Sequence, residues 1–125
     1  MGDMKISETF EMQEEVRWVN HWPKYTPDDA QGHLLGATEE IGETSEIIRK
    51  CGHEAIMTNR VIRRKFVTEV ADAFSYLVNV LLSYGITAEE FSEAFTDKHE
   101  FNMDRDYASE YDALCEEMKK PSEDG

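Results

Sequence analysis

Basic residues are scarce in this chain of 125 residues: 13 Lys and Arg stand against 27 Asp and Glu, a net charge of −14. A surface of that sign repels phosphate backbones and argues against direct nucleic-acid binding. An anionic ligand would need metal ions between itself and the acids. Cysteine is nearly absent as well. Cys51 and Cys115 are far apart and in no ligand-like spacing, which excludes a disulfide framework and fits reduced thiols. Long hydrophobic runs are missing: the most apolar stretch, Tyr76 to Leu82, is too short to span a bilayer and contains Asn79. The opening MGDMKISETF lacks the apolar core of a secretion signal, so a cytoplasmic location without a membrane partner is expected. Val, Ile and Thr never fall into the alternating runs that mark strands.

What is present reads as helix throughout. At 40% hydrophobic and 32% charged the composition is that of one folded domain with a modest core. Ser7 is the expected cap of a first helix running to about Trp22, with Met12, Val16 and Val19 at helical spacing. Thr26-Pro27-Asp28-Asp29 combines a cap, a proline at the first helical position and acids near the positive dipole end. The second helix is expected from Pro27 to about Lys50, with Gly52 as its stop and Gly36 as a place for a kink. A third helix should start near Thr58 or Asn59 and end at Tyr84-Gly85. Between Phe66 and Leu82 it is apolar on most sides, which predicts a central, buried helix. Thr87-Ala88-Glu89-Glu90 reads as a capping box opening a fourth helix past Lys98. A short extra helix through Tyr111, Leu114 and Met118 would follow, then a disordered end from Pro121 to Gly125.

The chemistry lies in the carboxylates. Glu40 and Glu43 share one face of the second helix, with Glu39 a turn from Glu43. Glu69 and Asp72 are three apart on the third helix, among Val67, Val70, Ala71, Ala73 and Phe74. Buried, unpaired carboxylates are costly and repel one another; a divalent cation removes both problems, and clustered hard oxygens suit Mg²⁺ or Mn²⁺. Spacing alone is a weak signal in so acidic a chain: Glu11/Glu14, Glu43/Glu46 and Glu90/Glu93 fit Glu-x-x-Glu too, and a solvated helix face accounts for Glu39, Glu40 and Glu43 equally well. Glu69/Asp72 is the only Glu-x-x-Asp, and its bland alternative is pairing with Arg63, Arg64 or Lys65. Tyr76 and Asn79 continue the Asp72 stripe, where Tyr76 serves either as a core tyrosine or as a ligand contact. Lys98, Asn102 and Arg105 form a stripe suited to phosphate oxygens or simply to solvent.

Glu39-Glu40-Ile41-Gly42-Glu43, then Glu69-Val70-Ala71-Asp72, resemble the two metal-binding blocks of the MazG-like nucleotide pyrophosphohydrolases, in the all-α NTP pyrophosphatase superfamily. The segments from Ala71 to Leu77 and from Tyr84 to Ile86 are similar to that family's third helix and its exit, and Lys98-x-x-x-Asn102-x-x-Arg105 to a closing motif of its short members. The resemblance runs from about Phe10 to Arg105. It implies an all-α four-helix bundle core over residues 1–105, a C-terminal extension over 106–125, and assembly as a homodimer or a dimer of dimers. It implies Mg²⁺ held by Glu40, Glu43, Glu69 and Asp72, and hydrolysis of a (d)NTP between its α- and β-phosphates. Glu39 or Glu43 would orient or deprotonate the water. Lys98, Asn102 and Arg105 would meet phosphates, and Trp18, Trp22 and Tyr76 are candidates to stack on the base. The longish basic loop from Arg60 to Lys65 departs from the family pattern.

Two enzymatic rivals rank low. A di-iron bundle calls for Glu-x-x-His, and none of His21, His33, His53 or His99 has an acid three residues before it. Cys51-Gly52-His53 is too isolated for catalytic zinc. The non-enzymatic rival is an acidic helical interaction or regulatory dimer, which leaves Glu69 and Asp72 among apolar neighbours without an explanation.

Overall fold

The computed structural model describes residues 2–105 and 107–121, Tyr107 by its backbone alone. Among these residues the chain is helical without strands: α1 (Ile6–Val19), α2 (Ala30–Thr58), α3 (Arg60–Ser83), α4 (Ala88–Asp104) and α5 (Tyr107–Lys119). The segment expected to be disordered beyond Pro121 lies outside the described residues. The chain forms two compact units, one up to Phe91 and one from Ser92 onward, so Arg105 falls within the second.

The helix ends follow local chemistry, with several departures from expectation. Helix α1 starts one residue before Ser7, with Lys5 as the cap residue, and the Glu8 carboxylate accepts from the Lys5 backbone N–H at 3.2 Å. It stops at Val19, short of Trp22, because the chain turns through His21 at φ 58°. Pro27–Asp29 forms a 3-10 turn rather than the first turn of α2, and Asp29 accepts from the Thr26 N–H at 2.8 Å. Gly52 does interrupt α2, at φ 83° and ψ 167°, a conformation glycine adopts without a Cβ penalty, but helix resumes to Thr58. No backbone break occurs at Gly36. Asn59 caps α3 as expected, accepting from the backbone N–H groups of Val61 and Ile62 at 3.0 and 3.1 Å, so the basic stretch from Arg60 to Lys65 forms the first turns of α3 and not the loop expected. Thr87 caps α4 by accepting from Glu90 N–H at 3.1 Å.

In the first unit α3 packs along α2 and against α1. Among the described residues the buried apolar side chains are few and mostly small: Phe10, Ala30, Ala37, Ala73 and Val78. The expectation that α3 is a central, buried helix fails. Val67, Val70, Phe74 and Leu77 all remain exposed, because only two helices of the unit cover α3. At 100° per residue these four lie on the side opposite Lys65, Glu69, Asp72, Tyr76 and Asn79. Arg60–Ser83 is also, by length and composition, long and apolar enough to cross a membrane, unlike the shorter run singled out in the sequence.

Candidate metal centre and adjoining cleft

Helix α2 presents Glu40 and Glu43 one turn apart, and α3 brings Glu69 against them. One carboxylate oxygen from each lies within 4.8 Å of the others. Glu69 is only 4% exposed, held by the tight α2–α3 packing. Its Oε1 accepts from the Lys65 ammonium at 2.6 Å, one helical turn away, so the ion pair weighed as the bland alternative is present. That pair does not satisfy the whole group: Glu69 Oε2 and Glu40 Oε2 are buried without a hydrogen-bond partner. Orphaned buried oxygens of this kind are rare and call for a cation or a proton.

The titration of the pair follows. The adjoining Glu69 carboxyl, then burial and the charge of Glu43, pushes Glu40 up to about 7. The Lys65 ammonium, ahead of the adjoining Glu40 carboxyl, holds Glu69 down to about 2. Three clustered carboxylates with two unsatisfied oxygens form a hard donor set of the type that suits Mg²⁺ or Mn²⁺.

The remaining expected site residues are placed differently. Asp72 is exposed and outside the three-glutamate cluster; it lines a neighbouring cleft of about 580 Å³. Glu39 is exposed and also outside the cluster. Tyr76 and Trp22 both line the cleft, whereas Trp18 is 76% exposed and does not. Lys98, Asn102 and Arg105 belong to the second unit, whereas the glutamates belong to the first. There the Lys98 ammonium sits 4.6 Å from the centre of the Phe101 ring, and Arg105 pairs with Glu110 at 2.6 Å.

The cleft also gathers Gln13, Tyr25, Asp29, His33, Ser75 and Asn79, of which the sequence had suggested only Asn79. Tyr25 and His33 meet edge to face at 4.5 Å, and His33 lies 6.3 Å from Tyr76. Burial, ahead of neighbouring charges, pushes the Tyr25 hydroxyl up. Two local devices hold the wall. Arg17 pairs with Glu14 at 2.7 Å and donates to the Trp22 carbonyl at 3.1 Å, fixing the turn that carries the indole. Gly36 lets the Tyr76 ring lie against α2: a Cβ there would stand 2.6 Å from Cε1. A signal for the cleft was present in the short aromatic run between Trp22 and Tyr25, but nothing in the spacing tied it to His33.

No protein-family model matches the chain, and neither a curated protein nor a solved structure matches it.

Proposed function

We propose that this protein is a Mg²⁺-dependent nucleoside triphosphate pyrophosphohydrolase of the MazG-like type, releasing a nucleoside monophosphate and pyrophosphate. The observation that carries the reading is the convergence of Glu40, Glu43 and Glu69, with two buried oxygens left unpartnered. These three would hold the metal, with Asp72 toward the cleft as a further oxygen donor. Bound there, Mg²⁺ supplies charge neutralisation at the phosphates and lowers the pKa of a water. Glu43, the exposed member of the cluster, has the freedom to orient that water and accept its proton; Glu39 is the alternative. Trp22 and Tyr76 offer ring faces to a base in the cleft, and the open recess beside the glutamates carries Lys50 and Lys65 for anionic oxygens. Assembly as a homodimer or a dimer of dimers in the cytoplasm belongs to the same reading.

The test is Glu69→Gln. With helicity retained by circular dichroism, Mg²⁺ binding by calorimetry and pyrophosphate release should each fall by about 100-fold or more. Activity close to wild type would end the proposal. The exposed apolar flank of α3 favours a second reading, an acidic helical interaction module. In that case the same calorimetry finds no metal-dependent nucleotide binding.

A further inference from the structure

We infer that Lys65 is a displaceable counterion: it neutralises Glu69 until a divalent cation enters the glutamate cluster, and is then handed over to the outer phosphates of the substrate. The inference rests on the function proposed above and deepens it, by coupling metal entry to triphosphate capture through one side chain. Lys65 and Glu69 are one turn apart on α3, with the ammonium 2.6 Å from Oε1. The two ends of this ion pair differ in freedom. The Glu69 side chain is 5% exposed and fixed by packing, whereas that of Lys65 is 64% exposed on a flexible four-carbon stem. Among the described residues Glu69 is the one ion-pair partner of Lys65. The pairing is also incomplete: Glu69 Oε2 and Glu40 Oε2 stay buried without a partner, so a single ammonium offsets only part of what three converging glutamates present. Lys65 and Glu69 both line the open recess of about 410 Å³ that also carries Glu43 and Lys50.

An ammonium and a divalent cation on the same carboxylate repel each other. An ion pair with one end in water contributes little, so it is the contact that gives way. Once released, the Lys65 head is still tethered to the recess by its stem. The nearest uncompensated anion is then a triphosphate lying against the cluster, and a mobile point charge suits its oxygens. Lys65 therefore opposes the cation when no nucleotide is present and ceases to oppose it when one is. Each ligand raises the affinity for the other, and the coupling is reciprocal. Lys50 differs although it lines the same recess: its ion-pair partner at 2.6 Å is Glu46, which lies outside the cluster.

Lys65→Met removes the charge while keeping the stem and the helix propensity. Isothermal calorimetry with Mg²⁺ alone should show binding about fivefold tighter than wild type. In saturating Mg²⁺, the affinity for α,β-imido deoxynucleoside triphosphates should instead fall about tenfold. Lys50→Met takes the same charge from the same recess and should move the Mg²⁺ Kd by less than about twofold. Circular dichroism reports whether each variant folds. Movement of the two Lys65→Met affinities in opposite directions is the signature, because a loosened α3 would weaken both. If both weaken, or neither changes, or Lys50→Met tightens Mg²⁺ as much, the inference is overturned. A wild-type chain that binds Mg²⁺ but no triphosphate analogue sinks the nucleotide reading and the handover with it. One that binds no Mg²⁺ sinks the displaceable counterion as well.

Discussion

Gly36→Ala offers a sharp test of the α2–α3 packing that supports the cleft. In a helix interior, alanine is favoured over glycine by about 1 kcal/mol. Against this, the new Cβ would meet Tyr76 Cε1, Cδ1 and Cζ at 2.6, 2.7 and 2.9 Å. Carbon atoms rest at about 3.5–4.0 Å, so the ring or the helix must shift by about 1 Å. Overpacking of that kind costs about 1–3 kcal/mol, which leaves a net change between none and about 2 kcal/mol destabilising. Gly42→Ala is the internal control: it lies in the same helix, gains the same propensity, and its Cβ meets nothing within 4 Å. Differential scanning calorimetry should place Gly42→Ala above wild type and Gly36→Ala below Gly42→Ala by about 4 °C or more, at roughly 4 °C per kcal/mol. Equal stabilisation by both substitutions would show that Tyr76 does not lean on α2, and the description of the cleft wall would have to be abandoned.

Four further outcomes follow from the glutamates and the α3 cap. Glu40, pushed up to about 7 from 4.5, must shed its proton to take a cation, so apparent Mg²⁺ affinity by calorimetry should rise up to about tenfold per pH unit below pH 7 and flatten above it. For the metal-free chain the sign reverses: a raised carboxyl is neutral in its effect below 4.5 and destabilises increasingly through pH 7, so melting in chelator should fall from pH 5 to pH 8, a fall that Glu40→Gln removes. Glu69, held to about 2, acts oppositely; its contribution is complete above 4.5 and is lost only as pH drops toward 2. Asn59→Ala should cost about 1 kcal/mol of stability in denaturant titration, since it strips the cap that satisfies Val61 and Ile62 N–H.

Much of the architecture was legible because helix boundaries are written in single residues. Asn59, Thr87 and Gly52 mark their positions by cap chemistry or positive φ. Ser7 misled because a capping residue one position inside the helix looks the same in sequence, and Glu8 reaching back to Lys5 performs the capping instead. The extent of burial on α3 was not legible: hydropathy records what a helix could bury, not how many neighbours are present to cover it. At the site, periodicity found the glutamates that meet but placed Asp72 with them, because a three-residue step of about 300° looks like a shared face even where packing separates the two side chains. The hydrogen bond that Gln13 donates to Asn79 at 2.9 Å joins positions 66 apart, beyond the reach of any local pattern.

Helix α3 stands in two solvents at once. One side holds Glu69 beneath α2, while the opposite side leaves Val67, Val70, Phe74 and Leu77 in water. A helix is stiff, so a partner that gripped the oily side and rolled the cylinder by even a few degrees would also swing the acidic side relative to Glu40 and Glu43. Association through that flank would therefore be mechanically geared to any ligand held at the proposed site, and a surface change far from the carboxylates would retune it.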